Sequence, residues 1–291
     1  MNAARQQTQA QTERADKGSN KPDWMRLLNH ALTQPGTLSA AYRLFHHYSA
    51  GNVTLLAEEA ILRNETLAPV ASYAGWKKLG YQVKRGSRAW AMVMPVTIHA
   101  RRDEEDDDKS EPGSDTKTIF ILRNNWFTLH QVEAGPDAQP LQEPTTPEWS
   151  LDRACAALNI AQIAFDSPNG NMQGYACAQG IAINPLARFP VKTAAHELAH
   201  VLLGHIGDAG IVEHENMDGA YKEVEAESVA HIVAAMLGLD EEALSSSRAY
   251  IQGWLGSSDV NAQEFAKRSA ARIFRVANQI LKVGTENSSD E

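Results

Sequence analysis

The segment that most constrains the fold is KTAAHELAHVLLGH, residues 192–205, which contains the pattern His196-Glu197-Leu198-Ala199-His200. Residues four apart lie on one face of an α-helix, so a helix here would let the imidazoles of His196 and His200 bind a single ion. Leu198, Val201 and Leu202 lie on the opposite face and predict burial against a core. An ordinary amphipathic helix that carries two histidines is the alternative.

Glu197 directly follows the first histidine, which is the position of a general base that takes a proton from metal-bound water and passes it to a leaving amine. Two histidines leave a zinc site one protein ligand short. The segment YKEVEAESVAHIV, residues 221–233, predicts a second helix on which Glu223 and Glu227 share a face and Glu225 points elsewhere. We expect Glu223 to be the third ligand and Glu227 to accept a hydrogen bond from a ligating histidine. A solvated acidic face is the alternative.

Other polar residues near this pattern have less specific roles. His205 is rotated off the ligand face and is interpreted as structural, while Tyr175 and Tyr221 are candidate donors to an oxyanion. Cys155 and Cys177 form no CxxC pattern and no disulfide framework, which indicates a reducing, cytoplasmic location.

Charge is distributed unevenly along the 291 residues, whose net charge is −9. Residues 1–102 carry 14 Lys and Arg against 6 Asp and Glu, whereas residues 103–291 carry 13 against 30. A basic half joined to an acidic half suggests a polyanion-binding module attached to a second unit, and chance segregation is the alternative. No apolar run approaches the length of a membrane span, and the polar N-terminus lacks the apolar region of a secretory signal.

The basic half interleaves cations with aromatic side chains, most densely over residues 73–90. Cations that track phosphates beside rings that stack on bases are typical of a groove for single-stranded nucleic acid. The alternative places the tryptophans in the core. The predicted nucleic-acid-binding residues are Arg43, Tyr48, Asn52, Trp76, Lys77, Lys78, Lys84, Arg85 and Arg88.

Periodicity and loop composition predict an α+β fold of two domains. The first is a helical and β-hairpin module in which Asn52 is a candidate helix cap and residues 70–80 form a helix ended by Gly80. The second has a small sheet, with an edge strand near 180–184 that aligns a peptide beside the metal. The predicted segments are a disordered tail (1–21), a first domain (22–132) with an acidic loop (103–116), a linker (133–149) and a second domain (150–285) with helices over 190–206, 217–238, 240–255 and 259–282.

The two halves together resemble the ArdC-type antirestriction proteins of conjugative plasmids. In the first half the similarity runs through YSAGNVTLL, YAGWKKLGYQVKRGSRAW and NNWFTLHQV, and in the second through GIAINP, KTAAHELAHVLLGH and EVEAESVA. The second half is also similar to the ImmA/IrrE-like metallopeptidases, whose pattern fits Glu223-Ala226-Glu227, although that family usually has Asp or Asn at the last place.

The resemblance implies a single-stranded-DNA-binding domain followed by a zincin-like zinc metallopeptidase domain, in a protein that protects incoming plasmid DNA from restriction. The protein substrate of the peptidase is not implied. Two alternatives remain open. One is a non-enzymatic protein that coats single-stranded DNA and whose metal is structural, and the other is a DNA mimic that depends on the acidic loop.

Overall fold

The structure is a computed structural model that describes residues 21–99, 116–145, 147–206, 219–257 and 262–285. The chain has an α+β fold, as the sequence predicts. The predicted disordered tail (residues 1–20 of it) and residues 103–115 of the predicted acidic loop lie outside the described residues.

Helices and a β-hairpin alternate in the first half of the chain. Asp23 caps the first helix by accepting a hydrogen bond from the Arg26 amide, and Ser49 caps the third by accepting one from the Asn52 amide. The elements are α1 (Trp24–Thr33), α2 (Pro35–Phe45), α3 (Ala50–Arg63), β1 (Val70–Ser72), α4 (Tyr73–Lys78), β2 (Tyr81–Val83), β3 (Trp90–His99), β4 (Thr116–Thr128) and β5 (Val132–Ala134).

The second half of the chain is mainly helical. Its elements are α5 (Leu151–Leu158), β6 (Gly174–Cys177), β7 (Gly180–Ile183), α6 (Pro190–Leu202), α7 (Gly219–Met236), α8 (Glu241–Ser257) and α9 (Ala262–Thr285). Pro190 stands at the start of α6, where its missing N–H group costs no hydrogen bond. Within the described ranges, no helix is long and apolar enough to cross a membrane.

In the part of the chain that the structure describes, three small antiparallel sheets accompany the helices. The largest has the strand order β1-β4-β3, with Val93 opposite Leu122 and a bulge between Trp90 and Ala91. Strand β2 pairs with β5, and β6 pairs with β7. The β3–β4 hairpin that the sequence predicts is therefore present, and β1 extends its sheet.

One apolar core runs through both halves of the chain. Helix α9 packs on α1 and α3, and α2 packs on α7. The Asn278 carboxamide on α9 accepts a hydrogen bond from the Ala50 amide at the start of α3. Helices of the two predicted domains thus share apolar contacts, and a side chain of the second satisfies a backbone amide of the first.

Two local predictions are wrong. Residues 70–80 are not a single helix, because Val70–Ser72 pair with β4 before Ser72 caps the short α4. Asn52 is not a helix cap, since Ser49 occupies that position and Asn52 lies in the first turn of α3.

Candidate metal centre and basic surface

Helix α6 brings together the two histidines of the HELAH pattern. The Nε2 atoms of His196 and His200 lie 3.0 Å apart. Ala194, Ala195, Leu198 and Ala199 are buried and fix this helix against the core, which turns the two imidazoles toward a cavity. The helix and its orientation agree with the expectation from sequence.

Glu223 on α7 approaches the same point from a second helix. Its two carboxylate oxygens lie 3.5 Å from His196 Nε2 and 3.5 Å from His200 Nε2. One ligand atom from each of the three residues falls within 4.8 Å of the others. The hydrogen bond from His196 holds the pKa of Glu223 below its usual value. His196, His200 and Glu223 form a candidate site for a divalent metal ion, because two imidazoles and a carboxylate are a common donor set for such ions.

Glu227 lies one helical turn after Glu223 and contacts the outer nitrogen of His196. The His196 Nδ1 to Glu227 Oε2 distance is 2.9 Å, and a carboxylate accepts, so Nδ1 donates. The other oxygen, Oε1, accepts from Lys192 at 2.7 Å and from Ser247 at 2.5 Å. Burial acts to raise the pKa of Glu227, but the His196 hydrogen bond and the Lys192 charge hold it at about 2.

The outer nitrogen of His200 contacts His205, a residue that sequence reasoning treated as structural. The two Nδ1 atoms lie 3.1 Å apart, and His205 Nε2 lies 2.9 Å from Glu225 Oε2. Burial lowers the pKa of His205 below 6.5, against the opposing effect of Glu225. Gly204, with φ 71°, reverses the chain after α6 and returns His205 toward the helix.

Glu197 points into the cavity beside the candidate metal ligands. This cavity has a volume of about 490 Å³ and is lined by α6, His205, Ile206, Glu223 and residues 174–176. Glu197 is 7% exposed, and its burial raises its pKa to about 7, with the His196 charge opposing the shift and the Glu223 carboxylate adding to it. A carboxyl group with such a pKa can both accept and release a proton near neutral pH.

The strand beside the cavity is β6, not the predicted edge strand near 180–184. Strand β7 is bonded on both sides, because Ile181 exchanges hydrogen bonds with Ala161 and Ile163 while β6 pairs with its other edge. Gly174, Tyr175 and Ala176 of β6 line the cavity instead. That part of the prediction is wrong, since local sequence does not reveal that residues near 162 add to the far edge of β7.

Of the two candidate oxyanion donors, Tyr175 lines the cavity and Tyr221 is not among the residues that line it. The Tyr175 hydroxyl lies 3.4 Å from the Ala164 carbonyl oxygen, to which it donates. The Tyr221 ring packs on Phe265, with 5.8 Å between ring centroids.

The basic residues predicted to bind nucleic acid are exposed, and most are close together in the chain. Lys77 and Lys78 end α4, the loop after β2 carries Lys84, Arg85 and Arg88, and Arg43 lies on α2. Tyr73, which is 44% exposed, begins the same helix. Lys84 Nζ also donates to the His130 carbonyl oxygen at 3.0 Å. The exposed cations are Arg43, Lys77, Lys78, Lys84, Arg85 and Arg88.

Burial contradicts two of the nucleic-acid assignments. Trp76 is 1% exposed and donates its indole N–H to the Phe127 carbonyl oxygen. Asn52 is 7% exposed, and its carboxamide bonds both the N–H and the C=O of Val93 in β3. Neither side chain can contact a base in this conformation. Tyr48 is half-buried and donates its hydroxyl to the Val70 carbonyl oxygen, which leaves it a limited surface.

Arg63, which sequence reasoning did not select, fixes the end of the basic loop. Its guanidinium donates to the carbonyl oxygens of Arg88 and Ala89, at 3.0 and 2.8 Å, and pairs with Glu59. It also lies over the Trp90 ring, 4.8 Å from the centroid. Glu59 in turn accepts from the Ala91 amide. Glu59 and Arg63 have the four-residue spacing of an ordinary ion pair on a helix, so nothing in the sequence indicates that Arg63 also binds the loop.

Comparison with known proteins identifies the first half of the chain. Residues 4–128 match the family described as the N-terminal domain of anti-restriction factor ArdC. A comparison with curated proteins found no match.

Two solved structures of the antirestriction protein ArdC from the R388 plasmid are similar to the chain. The metal-free structure is 22% identical with a TM-score of 0.50, and the match covers 90% of this chain and 95% of that one. The Mn(II)-bound structure is 19% identical with a TM-score of 0.49, over 93% and 100% of the two chains. The first of these likenesses extends the shared fold beyond the N-terminal domain. The predicted resemblance is confirmed for the first half, where residues 4–128 match the N-terminal domain of ArdC, and most of the chain shares the fold of the metal-free ArdC structure.

Proposed function

We propose that the protein is a cytoplasmic antirestriction protein that binds single-stranded DNA and carries a zincin-like metallopeptidase domain. The observation that carries the second part is the convergence of His196, His200 and Glu223 within 4.8 Å at the wall of a cavity that also holds Glu197. A metal with a purely structural role has no need for a buried carboxyl group beside its ligands.

The donor set fits a zinc ion. Two imidazole nitrogens and one carboxylate are a known ligand set of hydrolytic zinc, which keeps a further position open. Hydrogen bonds hold the outer nitrogens of both histidines, as is usual around ligating imidazoles. When bound, such an ion supplies a Lewis acid that polarises a carbonyl group and lowers the pKa of water.

The chain's own residues supply the proton transfers. We assign Glu197 as the general base that accepts a proton from the attacking water and then delivers it to the leaving amine. Its carboxyl pKa of about 7 suits both steps near neutral pH. Strand β6 offers a backbone edge at the cavity, beside which an extended peptide can lie.

The basic surface supports the DNA-binding part of the proposal. Four exposed cations lie at the end of α4 and in the loop after β2, within the region that matches the ArdC N-terminal family: Lys77, Lys78, Arg85 and Arg88. Tyr73 gives this surface an exposed ring for base stacking, a role that the buried Trp76 does not fill. Closely spaced cations favour binding of a polyanion, and the exposed ring favours binding of single-stranded over duplex DNA.

The test is DNA binding across a salt series, with wild type and a Lys77/Lys78/Arg85/Arg88→Gln variant compared on single strands and duplexes. We expect a preference for single strands and a steep fall of affinity with salt. Each lost phosphate contact should reduce the slope of log K against log[salt] by about 0.7. Equal affinity of the two proteins would overturn the DNA-binding assignment.

A further inference from the structure

A chain of polar side chains leads away from His200 on the side opposite the candidate metal. His200 Nδ1 faces His205 Nδ1 at 3.1 Å, and His205 Nε2 faces Glu225 Oε2 at 2.9 Å. The side chains of His205 and Glu225 are 1% and 0% exposed. Arg272 on α9 completes the chain, since its Nη1 lies 3.5 Å from Glu225 Oε1. Three helices and the turn after α6 therefore meet behind one candidate ligand.

The Glu225 carboxylate, which pairs with the Arg272 cation, fixes the direction of the two hydrogen bonds that link it through His205 to His200. Arg272 only donates, and the Glu225 carboxylate only accepts. His205 must therefore donate through Nε2, and as a neutral imidazole it then offers a bare Nδ1. His200 must donate through its own Nδ1, which leaves the lone pair of His200 Nε2 pointing toward His196 and Glu223.

We propose that His205, held by Glu225, is a positioning residue that fixes the tautomer of His200 and thereby sets the affinity of the site for a divalent cation. This inference rests on the metal site of the proposed function. The sequence does not suggest this role, because His205 lies off the helix face that carries the ligands. It contacts His200 at Nδ1, whereas Nε2 of His200 faces the candidate metal site.

The backbone around His205 supports a fixed geometry. The His205 amide donates to the His200 carbonyl oxygen at 2.9 Å, and Gly204 supplies the positive φ that this turn requires. Arg272 Nη2 donates to the Leu203 carbonyl oxygen at 2.8 Å, so the same guanidinium holds both the turn and Glu225. A buried imidazole that bridges two fixed groups has little freedom to exchange its partners.

An isosteric change at Glu225 separates this role from simple packing. In Glu225→Gln, the donor-only Arg272 attracts the amide oxygen, which places the amide NH₂ group against His205 Nε2. His205 must then accept at Nε2 and donate from Nδ1, so that His200 carries its proton on Nε2. The cation must displace that arrangement before it can bind.

The experiment is titration of the full-length protein with Co²⁺, followed by its visible absorption, with His200→Ala as the control that removes a ligand. We expect Glu225→Gln and His205→Phe each to weaken Co²⁺ binding by about 10- to 100-fold. His205→Asn, which keeps an acceptor near the Nδ1 position, should recover part of the loss. In the double variant, Glu225→Gln should add little to the loss of Co²⁺ affinity caused by His205→Phe, because both substitutions interrupt the same series of hydrogen bonds.

Each outcome bears on a distinct claim. If Glu225→Gln binds Co²⁺ as tightly as wild type, the positioning role is overturned while the metal site stands. Additive losses in the double variant would also overturn it, since independent packing defects add. If wild type itself binds no Co²⁺, or His200→Ala binds as wild type does, the proposed metal site fails and this inference fails with it.

Discussion

Gly174 in β6 lies directly against Glu197 in α6. A Cβ atom placed on Gly174 would stand 3.2 Å from Glu197 Cγ, 2.8 Å from Thr193 Cγ2 and 3.0 Å from the Ala182 carbonyl oxygen. The strand can therefore approach the helix that carries the HELAH pattern only because this position has no side chain. The width of the cavity depends on that approach.

Gly174→Ala should push β6 away from α6 and destabilise the protein by about 1–3 kcal/mol, the usual effect of overpacking. Denaturant unfolding measures the change. Gly170→Ala is the matched control, because a Cβ there meets nothing within 4 Å and should change stability by less than about 0.5 kcal/mol. Equal unfolding free energies of the two variants would contradict the close approach of β6 and α6.

Arg63→Ala should weaken single-stranded DNA binding although Arg63 contacts no phosphate in the proposed surface. The loop that carries Arg85 and Arg88 would lose two hydrogen bonds to α3, at an expected cost in DNA affinity of about 1 kcal/mol, or roughly fivefold.

The salt dependence distinguishes this indirect effect from a direct contact. The slope of log K against log[salt] should stay near the wild-type value in Arg63→Ala and fall by about 0.7 in Arg85→Ala. Arg275→Ala, which removes an exposed charge on α9, should leave affinity unchanged. An Arg63→Ala protein with wild-type affinity would contradict the positioning of the loop.

His231, fully buried on α7, should make stability depend on pH. Burial lowers its pKa from 6.5 to about 4, and the Glu227 charge opposes this while Arg248 and Lys192 add to it. Between pH 6.5 and 4 the unfolded chain binds a proton that the native chain excludes, so stability falls as the pH falls. The full loss is about 3 kcal/mol for a shift of this size.

His231→Leu should flatten the stability curve in that window, which thermal or denaturant unfolding at several pH values measures. A further loss below about pH 4.5 should persist in the variant, because Glu227 is stabilised as a carboxylate and its contribution disappears as the pH falls toward 2. A variant with an unchanged slope between pH 6.5 and 4 would show that His231 is not the group responsible.

Glu197→Gln should leave metal and DNA binding intact and reduce peptide hydrolysis by at least about 100-fold, the usual contribution of a general base. Cleavage of an unfolded polypeptide, with and without single-stranded DNA, measures the effect. Glu143→Gln at an exposed position is the control for loss of a carboxylate. Hydrolysis by Glu197→Gln at the wild-type rate would exclude Glu197 as the base. Metal and DNA binding without hydrolysis in wild type would favour the non-enzymatic alternative.

The part of the site that sequence predicts well is the part set by helical spacing. His196 and His200 are four apart, as are Glu223 and Glu227, and a regular helix fixes the geometry within each pair. Long-range packing decides the rest. Whether Trp76 faces solvent depends on its hydrogen bond to Phe127, fifty-one residues away, and the contact of His205 with His200 depends on the turn at Gly204.

Fold class followed from periodicity, whereas the pairing of short strands did not. The long β3 and β4 strands are rich in β-branched and aromatic residues, which is a strong signal. Strands of three or four residues, such as β1 and β6, contain too few positions for an alternating pattern. Their partners are set by tertiary contacts, and for that reason the strand beside the cavity was misplaced.

The most direct test of the account is the metal content of the full-length protein after equilibrium dialysis against Zn²⁺. Wild type and Glu197→Gln should each retain one ion per chain, because Glu197 lies beside the ligands without being one of them. His200→Ala and Glu223→Ala should lose the ion while remaining folded by circular dichroism. Retention of the ion in both ligand variants, or its absence from wild type, would contradict the metal site on which the proposed function is built.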